Sequence, residues 1–144
     1  MQGMMMPAHA LAQLTGAAMT LEIINPEIFG FRPSGWNHGM LSPAGGRILF
    51  VSGQIVPVGD FVAQWDGVLG RVIEVVRSAG GKPTDIGRMV VYVTDRPAYL
   101  ANLTPLGEVH RRHMGRHYPA MAFVEVKSLV DSKALVSMEA TAVL

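Results

Sequence analysis

The stretch Ile86-Gly87-Arg88-Met89-Val90-Val91-Tyr92-Val93-Thr94 decides how this chain must be built. Its β-branched and aromatic residues suit a pleated strand, where successive side chains face opposite sides. Met89, Val91 and Val93 then point one way, Val90 and Tyr92 the other. Both sets are apolar, so the strand needs cover on both faces.

Upstream, Phe61, Trp65, Val68, Leu69, Val72, Ile73, Val76 and Ala79 recur at three- and four-residue spacing. That period predicts an amphipathic helix over residues 61–79, stopped by Gly80-Gly81. Before it, residues 47–52 form an apolar strand between Gly45-Gly46 and Gly53. A short strand is expected at 20–24, broken by Asn25-Pro26, and a brief one at 38–41 beside the cluster Trp36-Asn37-His38. Downstream, Asp95 is an N-cap with Pro97 close behind, and Tyr99, Leu103, Leu106 and Met114 lie along a second helix running to Gly115. Two last strands, 120–126 and 135–143, flank the polar turn Asp131-Ser132-Lys133. The sum is an α+β domain with a single sheet and two helices, which can cover only one face. Sister subunits in a closed symmetric assembly are the expected cover for the other.

The 144 residues fit one domain. No cysteine is present, which excludes disulfides, thiolate chemistry and thiolate metal sites and fits a reducing, cytoplasmic setting. A net charge of +1 gives no long-range pull toward nucleic acid or anionic lipid. Although 49% of the chain is hydrophobic, every apolar run is interrupted well before membrane-spanning length. Residues 1–19, rich in Met and Ala, lack the pattern of a secretory signal and are expected to be a flexible extension to a domain at 20–144. Met19 is an alternative start of the domain.

The segments Ile48-Leu49-Phe50-Val51-Ser52-Gly53-Gln54-Ile55, Val90-Val91-Tyr92-Val93-Thr94-Asp95, Tyr118-Pro119-Ala120 and Ser137-Met138-Glu139-Ala140-Thr141-Ala142 occur in an order and spacing that resembles the Rid family. This family of reactive-intermediate deaminases is also called YjgF-like or L-PSP endoribonuclease-like. The resemblance implies a chorismate-mutase-like subunit, a homotrimer with ligand clefts between subunits, and hydrolysis of enamines and imines such as 2-aminoacrylate without metal or organic cofactor. It also implies roles for particular residues. Ser52 and Gly53 stand where the family has Ser-Gly after the core strand, and Glu139 stands at the family's strand glutamate. Gly35-Trp36-Asn37 resembles a Gly-Tyr-Ser loop, keeping the aromatic ring and losing the hydroxyl.

The largest departure is Pro119-Ala120-Met121-Ala122, where deaminating members carry Pro-Ala-Arg-Ser. A guanidinium grips a carboxylate through charge-assisted hydrogen bonds of about 1.5–3 kcal/mol each, and methionine makes none. The helix asparagine of those members is displaced as well, with Leu103 in register and Asn102 beside it. Met121 therefore points to a neutral or aromatic ligand, with Arg32 or Arg88 as candidate replacements for the missing arginine.

Glu139 shares strand parity with Leu135, Thr141 and Val143, which predicts an enclosed carboxylate. Such a group can take and return a proton and activate water; alternatively it is a structural anchor. Ser52 and Gly53 offer backbone groups to a ligand or simply end a strand, and Trp36 walls a cleft or plugs an interface. His110, His113 and His117 have the spacing of a metal-binding face, but Gly115 should end the helix first and Arg111, Arg112 and Arg116 repel a cation, so no metal site is expected. The same arginines, without interleaved aromatics, make a poor nucleic-acid platform. The leading expectation is imine or enamine hydrolysis on a small carbonyl-type compound other than 2-aminoacrylate. A non-catalytic small-molecule-binding or regulatory trimer is the alternative, and RNA cleavage ranks last.

Overall fold

The computed structural model describes residues 20–144; the expected extension at 1–19 lies outside the described residues. Its strands are β1 (Glu22–Ile24), β2 (Gly39–Leu41), β3 (Ile48–Gln54), β4 (Ile86–Val93), β5 (Ala120–Glu125) and β6 (Val136–Val143). Its helices are α1 (Phe61–Ser78), α2 (Arg96–Ala101) and α3 (Leu103–Met114). No helix among the described residues is long and apolar enough to cross a membrane.

Helix α1 begins where the Asp60 side chain accepts the Ala63 N–H at 2.9 Å, and its buried face is the one that the apolar spacing picked out. Past its end, Gly80 adopts φ 88°, a left-handed conformation that glycine enters without a Cβ clash. The main sheet has the order β3-β6-β4-β5. β6 runs antiparallel to both neighbours, and β4 runs parallel to β5. The β4-to-β5 connection is thus a crossover, supplied by α2 and α3. All three helices pack on one face, against Val51, Met89, Val91, Val93, Val136, Met138 and Ala142.

Two expectations need correction. The second helix is two helices, separated at Asn102. Pro105 is the reason: it has no N–H to offer and its ring would collide with the Ala101 carbonyl one turn back, while the Asn102 side chain donates to the Ala98 carbonyl at 2.7 Å. The single sheet is two sheets, because β1 and β2 pair only with each other. Strand β6 inserts between β3 and β4, so the consecutive strands β5 and β6 are not neighbours.

The opposite face of the main sheet carries no helix. Phe50 (78% exposed) and Ile48 (62%) stand on it beside Val90, Tyr92 and Val124. The apolar second face of β4 therefore gets no cover from its own chain beyond the neighbouring strands.

One polar side chain is sealed inside the helical layer. Gln64 is 2% exposed; its Nε2 donates to the carbonyls of Gly59 (3.1 Å) and Lys133 (3.0 Å), and its Oε1 accepts the Leu135 N–H at 2.8 Å. It fastens the start of α1 to the loop entering β6. Replacing Gln64 with Met keeps the volume and removes all three bonds, so urea unfolding should show a loss of about 2 kcal/mol with an unchanged m-value.

Candidate active site on two faces of one sheet

On the open face, Glu139 sits at the middle of β6, directly opposite Val90. Val90 is flanked on the same face of β4 by Arg88 and Tyr92, so three functional side chains meet on two strands. The Tyr92 hydroxyl donates to Glu139 Oε1 at 2.5 Å. That bond, reinforced by burial and by the carboxylate's charge, lifts the Tyr92 phenol above its usual 10.0. Arg88 is exposed and, among the described residues, has no carboxylate within ion-pairing distance. With Val124 and Thr141 these residues line a shallow recess of about 320 Å³.

The β3 strand meets this recess through a bulge. Val51 pairs with Ala140 and Gln54 with Met138, which leaves Ser52 and Gly53 together opposite Glu139. A Cβ on Gly53 would stand 3.1 Å from Ser137 Oγ, a tight approach that the serine side chain would have to relieve by shifting. Ser52 is held by Gln54, whose Nε2 donates to its hydroxyl and carbonyl, both at 3.1 Å. Arg71 Nε in turn donates to Gln54 Oε1 at 3.0 Å. Ser52, Gly53 and Glu139, far apart in sequence, are therefore brought side by side. Glu139 itself is only half-buried: the enclosure expected of it is not supplied by its own chain.

Met121 lies elsewhere. It pairs with Met89 and faces the helices at the edge strand β5. There it lines a groove of about 200 Å³ with Trp65, Tyr99, Leu103, His110 and Phe123. Three rings stack along this groove, Trp65 on Tyr99 (5.7 Å between centroids) and Trp65 on Phe123 (6.4 Å). Gly35 also lines it, whereas Trp36 turns away and packs edge-on against His38 at 4.7 Å. The loop is pinned by Asn37, whose N–H donates to the Pro119 carbonyl (3.1 Å) and whose Nδ2 donates to the Tyr118 carbonyl (2.6 Å). Leu103 occupies the groove wall, and Asn102 is spent on the Ala98 carbonyl. Arg32 is exposed and lines neither recess, while Arg88 lines the one that holds Glu139.

Glu139 and Met121 thus occupy opposite faces of the sheet, and one copy of the chain does not bring them together. The three histidines are held separately. His110 Nε2 bonds the His117 carbonyl at 2.8 Å, His117 Nε2 bonds the Ile86 carbonyl at 2.7 Å, and His113 Nε2 meets Asp66 Oδ1 at 2.6 Å. Arg112 joins the same Asp66 at 3.0 Å, and these two partners hold its carboxyl below the usual carboxylate range.

Sequence reasoning overlooked Tyr92, whose place beside Glu139 depends on the pairing of β4 with β6. It also overlooked the cluster of Trp65, Tyr99 and Phe123, whose three members come from three separate elements.

The fold and the paired recesses define an α+β subunit of YjgF-like type, with a mixed sheet and three helices on one side. Residues 34–144 match the family model described as Endoribonuclease L-PSP. YyfB from Yersinia pestis, of the conserved Rid protein family, is 32% identical, covers 88% of this chain and 100% of its own, and superposes with a TM-score of 0.74. Rv2704 from Mycobacterium tuberculosis, of the YjgF/YER057c/UK114 family, is 27% identical over 88% of this chain and 100% of its own, with a TM-score of 0.59. Escherichia coli TdcF, solved with bound serine, is 26% identical over 85% and 98%, with a TM-score of 0.58. No curated protein matches. The chain belongs to the endoribonuclease L-PSP family, the Rid or YjgF family.

Burial lowers the pKa of His110 below its ordinary 6.5, and this outweighs the upward pull of its bond to the His117 carbonyl. A histidine depressed in the folded state contributes stability that is present above the unfolded value and lost as pH falls through the folded one. His110 should therefore titrate below 6.5 by NMR, and His110→Gln should flatten the fall of stability on acidification below that pH.

Proposed function

We propose that the chain, with residues 20–144 as its working domain, assembles as a cytoplasmic homotrimer through the open sheet face. Between its subunits it hydrolyses a small imine or enamine other than 2-aminoacrylate. The observation that carries this reading is the Glu139 carboxylate, held by the Tyr92 hydroxyl opposite the Ser52-Gly53 bulge. The exposed apolar residues Ile48, Phe50 and Val124 on the same face favour burial against sister copies. In such an assembly the recess around Glu139 on one copy can adjoin the Met121 groove of the next.

The chemistry needs no cofactor. Glu139 takes a proton from water as the oxygen adds to the C=N carbon, and the proton passes to the nitrogen. The resulting carbinolamine expels ammonia as its hydroxyl proton leaves, giving the carbonyl product. Tyr92 orients the carboxylate, and Ser52 and Gly53 border the reacting atoms. Met121 and the uncharged groove around it argue against a substrate gripped by its carboxylate there. Family kinship with TdcF, solved with serine, supports a small-molecule ligand in general.

The missing arginine also favours a second reading, a trimer that binds its ligand without turning it over. RNA cleavage gains no support from the basic end of α3, where Arg112 is committed to Asp66.

The deciding measurement is release of carbonyl product and ammonia from freshly generated 2-aminoacrylate and from bulkier imines. Wild type should accelerate the bulkier ones, and Glu139→Gln should lose at least about 100-fold in rate while keeping its circular dichroism spectrum. Equal rates in the two proteins exclude Glu139 as the proton carrier. An inert wild type whose Met121→Arg variant gains activity on 2-aminoacrylate would favour the binding reading. Assembly is checked separately: Phe50→Glu should turn the trimer into monomers in sedimentation analysis, and an unchanged mass would remove the open face from the interface.

A further inference from the structure

We propose that the groove on the helix side of β5 holds the ring of an uncharged, planar aromatic ligand. Three observations converge on this class. The walls are aromatic: Trp65 lies near-parallel to Tyr99 and to Phe123, these two are tilted at 33° to each other, and His110 lies parallel to Tyr118 at 4.7 Å. Stacked rings present faces and edges that favour another ring over an aliphatic group of equal size. The groove also contains no lysine, arginine, aspartate or glutamate, so charge complementarity selects a neutral occupant. Its one basic side chain, His110, uses Nε2 on the His117 carbonyl, which places a proton there and leaves Nδ1 as an acceptor. At about 200 Å³ the space suits a single ring, since an apolar cavity of roughly 150 Å³ takes benzene.

The third observation is Gly107. A glycine inside a helix is unfavourable relative to alanine, and Gly107 lies in the interior of α3. Gly67 has a packing reason, since a Cβ there would stand 3.2 Å from Val56, whereas one on Gly70 would make an ordinary contact with His113 at 3.4 Å. A Cβ on Gly107 would meet nothing within 4 Å, and its φ is not positive. Neither packing nor backbone geometry demands this glycine. It is exposed at the border of the groove, and what it preserves there is open space.

The inference deepens the imine-hydrolysis reading by naming its substrate class and rests on that reading for the ligand's fate, whereas ring binding can be measured without turnover. Calorimetry and tryptophan fluorescence on the full chain would compare benzamide, benzoate and cyclohexanecarboxamide as probes. Benzamide should bind at least about tenfold more tightly than the charged or the non-planar probe. Gly107→Ala should raise Tm by about 3 °C, as a helix glycine replaced by alanine does, and weaken benzamide at least about tenfold. Met121→Arg should shift preference toward benzoate.

The proposal is overturned if benzoate matches benzamide, if Gly107→Ala binds unchanged, or if no probe binds because a neighbouring copy fills the groove. Benzamide binding without turnover of any imine sinks the hydrolytic reading and leaves the ring site standing. Turnover of aliphatic imines without benzamide binding does the reverse.

Discussion

Strand β6 is hydrogen-bonded along both edges, to β3 on one side and β4 on the other, and its alternation divides the molecule. Val136, Met138, Ala140 and Ala142 face the helices, and the two alanines let α1 approach closely. Ser137, Glu139 and Thr141 face the other way. A slip of one residue would drive Glu139 beneath α1 and push Met138 out, so the register that builds the core also fixes the carboxylate on the open face. Burial on one side and a polar cluster on the other are consequences of a single pairing.

That division explains how the two recesses relate. The open face gathers a carboxylate, a phenol and an arginine, with apolar residues around them; the groove at β5 gathers rings and one uncharged imidazole. Two asparagines hold the loop that borders the groove. Asn25 Nδ2 donates to Asn37 Oδ1 at 2.8 Å while Asn25 Oδ1 accepts the His38 N–H at 2.8 Å, and Asn37 then reaches Tyr118. Both amides are used at both ends, so Gly35 keeps its place beside the rings although the loop has no regular structure of its own.

What could be read from the linear chain was local. The spacing from Phe61 to Val76 marked α1, and the scarcity of helices announced a sheet that its own chain covers on one side only. Glu139 was visible through the family resemblance, while strand parity placed it on one face with Thr141 and Val143. Position 64 also lay on the apolar face of α1, three residues after Phe61 and four before Val68, and a polar residue there signals a buried hydrogen-bonding role. Other features depended on long-range pairing. Tyr92 meets Glu139 across 47 residues through a strand order that sequence order does not suggest, and the bulge that sets Ser52 and Gly53 opposite Glu139 is a property of two strands together. The break at Asn102 was concealed by apolar spacing that continues across it, although Pro105 carried the physical signal.

The central place of β6 also governs when the domain can form. β3 and β4 share no backbone hydrogen bonds with each other, and β5 touches the sheet only through β4. During synthesis α1 can coil and β4 can meet β5, but β3 has no partner strand until residues 136–143 emerge. Sheet closure thus waits on contacts about 90 residues apart, an arrangement whose loop-closure entropy slows folding. Until then the chain carries unpaired strand edges and exposed valines, the condition in which nascent proteins depend most on chaperones.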